Sequence, residues 1–213
     1  MKKILTIIFS VLLCIGAVGG SFALAKHLDS GKQVEQPQDS SPTDDSEAGG
    51  EHNDIKETVV SWQICTDVSQ LAVGDKIIIV AKTGDFALGT TQNTSNRSVA
   101  SIVKNDNTAT INDDVQVITL ESGIHENTFA FYVGTGYLYA PSSSSNHLKT
   151  RADINENASW SIEIDSSHVA NIVAQGESSR NVLMYNSGNE IFSCYSSTQE
   201  AVVIYKWIDG ANN

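Results

Sequence analysis

The sequence predicts an all-β fold built on three internal repeats, and three observations carry that prediction. A pattern of four short apolar or aromatic runs recurs three times between Lys76 and Trp207. Its period of roughly 40 to 50 residues is that of a multi-strand unit that cannot close a core alone. Helix signals are nearly absent: only Asp67-Val68-Ser69-Gln70-Leu71 reads as one turn, with Asp67 as cap and Gln70 three residues on. The runs are rich in Val, Ile, Tyr and Thr and are separated by Asn, Asp, Ser and Gly, the composition of strands and turns.

In chain order, residues 1–25 read as a leader. Lys2 and Lys3 form a positive n-region, a mostly apolar run follows, and Ala23-Leu24-Ala25 offers the small residues a signal peptidase reads before Lys26. The 22 uncharged residues from Ile4 to Ala25 also allow an uncleaved membrane anchor. Either way the basic N-terminus stays inside, so the rest of the chain is expected outside the cell or at its surface. Cys14 does not fit a lipidation site, because Leu13 stands where a small side chain is required.

Residues 26–57 change composition to Asp, Glu, Gln, Ser, Pro and Gly, with only Leu28, Val34 and Ile55 as larger aliphatics. That is too little apolar surface to offset the entropy of ordering, so a disordered acidic linker is expected. Residues 58–213, about 155 in number, suit one all-β domain with its own core. Eight Lys and Arg stand against sixteen Asp and Glu there, a balance of −8. Such an excess repels phosphate backbones and anionic headgroups, so no nucleic acid is expected as partner, and a membrane only through the N-terminal segment.

The first strand is expected at 59–66, ahead of the repeats. Repeat one supplies strands at 77–80, 87–89, 99–102 and 115–118; repeat two at 129–132, 137–139, 147–149 and 160–162; repeat three at 169–172, 182–185, 192–195 and 202–205. Alternation in Val60-Trp62-Ile64 and in Trp160-Ile162-Ile164 marks Trp62 and Trp160 as core residues. Gly134-Thr135-Gly136 reads as a hairpin turn needing positive φ rather than a phosphate cradle, since no helix follows it.

The threefold, twelve-strand layout resembles the β-trefoil, a six-stranded barrel closed by three hairpins. The likeness is closest in repeat two, where Phe129-Ala130-Phe131-Tyr132, Tyr137-Leu138-Tyr139-Ala140 and Ala158-Ser159-Trp160-Ser161-Ile162 resemble the aromatic-bearing strands of trefoil lectins. The strand at 59–66 exceeds the trefoil count, and a two-sheet β-sandwich stands as the alternative. Leu71-Ala72-Val73-Gly74-Asp75-Lys76-Ile77-Ile78-Ile79-Val80, Arg180-Asn181, Phe192-Ser193-Cys194-Tyr195 and Val203-Ile204-Tyr205-Lys206 are similar to a module of exported proteins from gut-type bacteria. That resemblance implies a surface accessory domain and brings no residue-level chemistry with it.

Motifs for catalysis are missing. There is no Gly-x-Ser-x-Gly, no His-Glu-x-x-His, and the five histidines are dispersed. Asn105-Asp106-Asn107 and Asn112-Asp113-Asp114 lack the ligand order of a calcium loop. No cofactor or metal site is expected, and the domain reads as a binding module, not an enzyme. Cys65 and Cys194 are an even pair in an exported chain and hence a disulfide candidate. Pleat parity argues against the pairing, because Cys65 faces away from Trp62 and Ile64 whereas Cys194 shares the inward face of Phe192.

Polar residues recur at comparable places in the repeats: Gln92 and Asn93, Ser145 and Asn146, Asn186 and Asn189. Turn chemistry and ligand recognition both explain them. For recognition, the third repeat offers the candidate ligand-binding set Arg180, Tyr185, Asn186 and Tyr195: a planar cation, an amide and rings able to cover a sugar. The functional expectation is recognition of an extracellular glycan or another extracellular ligand. The alternatives are a structural spacer or adhesion domain meeting surface proteins, and an undetected hydrolase.

Overall fold

A computed structural model describes residues 61–209. The leader, the linker and residues 59–60 of the first expected strand lie outside the described residues. Strand β1 (Ser61–Ile64) precedes the repeats. Repeat one holds β2 (Lys76–Ala81), β3 (Phe86–Gln92), β4 (Arg97–Ser101), an inserted hairpin of β5 (Val103–Asn105) and β6 (Thr108–Thr110), and then β7 (Ile118–Ser122). Repeat two holds β8 (Phe129–Tyr132), β9 (Tyr137–Tyr139), β10 (Lys149–Arg151) and β11 (Ser159–Ile164). Repeat three holds β12 (Ala170–Ala174), β13 (Val182–Asn186), β14 (Ile191–Tyr195) and β15 (Val202–Ile208).

The first and last strands of each repeat close a ring. β2 pairs with β7, β7 with β8, β8 with β11, β11 with β12, β12 with β15, and β15 returns to β2, all antiparallel. The second and third strands form the hairpins β3–β4, β9–β10 and β13–β14, each joined to its repeat through the first strand. A six-stranded barrel with three hairpins is a β-trefoil, so the barrel and not the sandwich is the architecture.

The surplus strand has a separate use. β1 adds to the free edge of β15, and the β6–β5 hairpin adds to β1. This sheet encloses a second core on the outside of the barrel wall: Trp62, Ala109, Val203 and Tyr205 pack there with Ile78 and Val80, while Ile77, Ile79, Val202 and Ile204 point into the main core. Both faces of β2 and β15 are therefore buried, which accounts for the unbroken runs Ile77-Ile78-Ile79-Val80 and Val202-Val203-Ile204. Trp62 meets Trp207 edge-on, ring centroids 5.2 Å apart. The turn at Val68–Gln70 carries the expected reciprocal cap: Asp67 Oδ1 accepts from the Ser69 amide at 2.8 Å and Gln70 Oε1 from the Asp67 amide at 3.1 Å.

Two strands of repeat one and two shift from their expected positions. The fourth strand starts at Ile118, because the Gln116 amide N–H turns to the Leu88 carbonyl and Val115 makes only an isolated bridge to Gly89. β10 begins at Lys149, since the Leu148 amide is drawn to the Ser95 carbonyl of the neighbouring repeat. The β5–β6 hairpin was not expected; Asn105-Asp106-Asn107 is its turn, with Asp106 at φ 49°.

The disulfide candidate is not formed: Cys65 and Cys194 are both buried and free. Parity places Cys65 opposite Trp62 as expected, but that opposite side is itself the main core, which also holds Cys194. Backbone pairing holds them apart in the fold, with the Cys65 amide on the Ile204 carbonyl and Cys194 opposite Leu183 in the third hairpin. Burial pushes the Cys65 thiol up to about 11 and raises that of Cys194 as well. The fold thus favours neutral thiols. Their contribution is complete below the ordinary value of 9.0, and the Cys65 part is lost as pH rises towards 11. Urea midpoints are expected to fall above that lower value, and iodoacetamide is expected to label neither thiol natively at neutral pH and both in denaturant. Native labelling of Cys194 would overturn this account.

Candidate ligand-binding face

The third-repeat set does not assemble. Tyr185 is 2% exposed, packed between Phe86 and Phe192 at centroid distances of 6.0 and 5.2 Å inside the main core. Tyr195 is 3% exposed on the other face of the hairpin, where burial raises its pKa and a hydrogen bond with the Asn186 side chain opposes that rise. Pairing dictates the separation: Tyr185 lies opposite Phe192 and shares its inward face, and Tyr195 lies opposite Val182 on the reverse face. Neither ring is available for stacking, contrary to the expectation. Asn186 Oδ1 accepts from the Asn189 amide at 3.0 Å and closes the β13–β14 turn. Arg180 Nη1 donates to Asn146 Oδ1 at 2.6 Å, joining the loops of repeats two and three.

The recurrent amides of repeat one are likewise consumed by turns. Gln92 Nε2 donates to the carbonyls of Asn93, Asn96 and Leu148 at 2.9 to 3.0 Å, and Asn93 Nδ2 donates to Asn96 Oδ1 at 2.8 Å. Beside them Arg97 is 3% exposed, with no carboxylate partner among the described residues. Its Nη1 donates to the Thr90 carbonyl at 2.8 Å and Gln116 Oε1 at 3.2 Å, and its Nη2 to Thr150 Oγ1 at 2.7 Å. Burial lowers its pKa. The guanidinium is a dowel between the hairpins of repeats one and two.

Repeat two presents a different surface. Leu120, Phe131, Leu138 and Leu148 point into the main core, so the residues alternating with them face outward. Register lines up Thr119, Tyr132, Tyr137 and Arg151 across β7, β8, β9 and β10, with Tyr139 opposite Lys149 in the next row. Tyr132, Tyr137 and Tyr139 are all half-buried. The Tyr132 and Tyr137 rings stand 5.4 Å apart, the Tyr137 hydroxyl donates to Glu121 Oε2 at 2.8 Å, and the Arg151 guanidinium lies 5.6 Å from the Tyr139 ring centre. The bond to Glu121 raises the Tyr137 pKa.

Local chemistry builds this face. Gly134 and Gly136 have φ of 85° and 148°, and a Cβ on Gly136 would run into the Arg151 carbonyl, so only glycine lets β10 lie this close to the turn. Beneath, Trp160 stacks parallel on Phe131 at 5.3 Å and donates from Nε1 to the Leu138 carbonyl at 3.1 Å, pinning the tyrosine-bearing strand. The signal was present in Tyr137-Leu138-Tyr139: an inward Leu138 forces both tyrosines outward.

A recess of about 650 Å³ lies elsewhere, between β1, β15 and the turn before β2, and includes Gln63, Asp75, Lys206 and Asp209. Lys206 Nζ is held there by Asp75 Oδ2 at 2.8 Å and the Gln70 carbonyl at 2.9 Å, and Asp75 also accepts from the Ala72 amide. These groups satisfy one another and clamp the turn to β15.

No protein-family model matches the chain, and no curated protein matches it in sequence. Among solved structures it is similar to a GH43 β-1,3-galactosidase, with a TM-score of 0.50 and 10% identity over 72% of this chain and 30% of that one. It is also similar to the BEL β-trefoil in its apo form, with a TM-score of 0.48 and 15% identity over 65% of this chain and 96% of that one. The lysenin pore follows, with a TM-score of 0.45 and 14% identity over 68% of this chain and 49% of that one. The chain spans less than a third of the galactosidase's length. At such identities the likeness concerns the fold alone.

Proposed function

We propose that the chain is a carbohydrate-binding module, exported and acting outside the cell or at its surface as an accessory domain without catalysis of its own. The observation that carries this reading is the outward face of repeat two. Three half-buried tyrosines lie there side by side on one stretch of sheet, between the Glu121 carboxylate and the Arg151 guanidinium. A pyranose has an apolar face that a tyrosine ring covers and a rim of hydroxyls that needs both acceptors and donors. Glu121 supplies the acceptor and Arg151 the donors. A flat platform of this kind buries little ligand surface, so single-site affinities near millimolar, about −4 kcal/mol, are expected.

The test is a glycan array with the protein displayed multivalently, followed by calorimetry on the best ligands. Tyr137→Ala and Tyr139→Ala are each expected to weaken binding about tenfold or more with the melting temperature nearly unchanged. Arg180→Ala should leave binding intact, since Arg180 serves the loop contact with Asn146. Absence of binding across a broad array would overturn the proposal and put the spacer or adhesion reading ahead.

A further inference from the structure

Resting on the tyrosine-face reading, we infer that the glycan recognised there carries a carboxylate, as a uronic acid unit does. Lys149 and Arg151 stand two residues apart on β10, on the same outward face, opposite Tyr139 and Tyr137. Among the described residues neither cation forms an ion pair, although carboxylates outnumber cations two to one in the domain. Arg97 is occupied by three neutral acceptors and Arg180 by Asn146. All three arginines bury Nε without a partner, but Arg151 differs in donating no hydrogen bond among the described residues, and its guanidinium rests beside the Tyr139 ring. A partly desolvated, flat and pre-oriented fork with open donors fits a planar carboxylate in two parallel bonds, with Lys149 adding a second positive charge.

The acidic groups nearby set direction. Glu121 is engaged by the Tyr137 hydroxyl, and Asp153 acts on Tyr137 electrostatically yet pairs with neither cation. The Glu121 charge disfavours a ligand carboxylate beside it, which leaves hydroxyls at the Glu121 end and the carboxylate for Lys149 and Arg151. The domain's balance of −8 disfavours dense polyanions, so the ligand carries at most one carboxylate per sugar and is not a sulfated chain.

The test titrates the full chain with trigalacturonate, its methyl ester and heparin. Trigalacturonate is expected to bind about tenfold more tightly than the ester, with an advantage that shrinks as salt is raised. Lys149→Gln should shrink the advantage while leaving ester binding in place; Arg151→Gln should erase it and also weaken the ester, whose hydroxyls Arg151 serves, and Arg151→Lys should restore only part of it. Equal affinity for acid and ester would overturn the inference and leave the tyrosine-face reading standing. Preferential binding of heparin would also overturn it. Failure of both sugars, and of every other glycan, would remove the two together.

Discussion

Replacing Trp160 by alanine is expected to lower the stability of the domain by about 3–5 kcal/mol, measured by urea denaturation of the full chain. The indole is fully buried, stacks face to face on Phe131, and donates its only N–H to the Leu138 carbonyl. Truncation therefore leaves a large cavity and strips a buried carbonyl of its donor. Both ends of the loss fall on repeat two, where Leu138 separates the outward tyrosines. Glycan affinity should drop with stability in this variant, unlike in Tyr137→Ala. A cost below about 1 kcal/mol would mean that the barrel refills the space and that the stack contributes little. Trp62→Ala is expected at the lower end of the same range, because its ring sits towards the edge of the smaller second core against a partly exposed Trp207.

Replacing Arg97 by alanine is expected to cost about 3 kcal/mol or more, from the loss of three hydrogen bonds to a charged donor. The Thr90 carbonyl, Gln116 Oε1 and Thr150 Oγ1 would be left facing one another without it. Arg97→Lys should recover less than half, since one ammonium does not span acceptors arranged around a planar fork. Equilibrium unfolding of the two variants beside the parent decides the matter. Near-neutral loss in Arg97→Ala would show that water takes over the three acceptors and that the hairpins of repeats one and two do not depend on this residue.

Much of the fold was legible in the chain. Period-two alternation marked Trp62 and Trp160 as buried, the capping residues Asp67 and Gln70 stand as expected, and Gly134 and Gly136 bound a hairpin turn. These features depend on neighbours within a few positions. The β5–β6 hairpin escaped notice because Val103-Lys104-Asn105 and Thr108-Ala109-Thr110 are too short and too polar to read as strands; they gain stability only by adding to β1. The same holds for the two-sided burial of β2, whose apolar run announces that both faces are covered without saying by what.

The candidate site divides along the same line. By itself the sequence determined the threefold repeat, its twelve strands and the inward side of β1 and β11, because residue alternation is a local property of extended backbone. Which rings stay accessible was decided only by tertiary structure. Tyr185 and Tyr137 sit in comparable runs of apolar and aromatic residues, yet closure of the barrel seals the first against Phe86 and Phe192 and leaves the second beside Glu121 and Arg151. Likewise the open Nη donors of Arg151, against those of Arg97 that are held by Thr90, Gln116 and Thr150, follow from acceptors distant in sequence. Ligand chemistry depends on what remains unpaired after packing, and pairing across repeats is set by the closed ring, not by any one segment of chain.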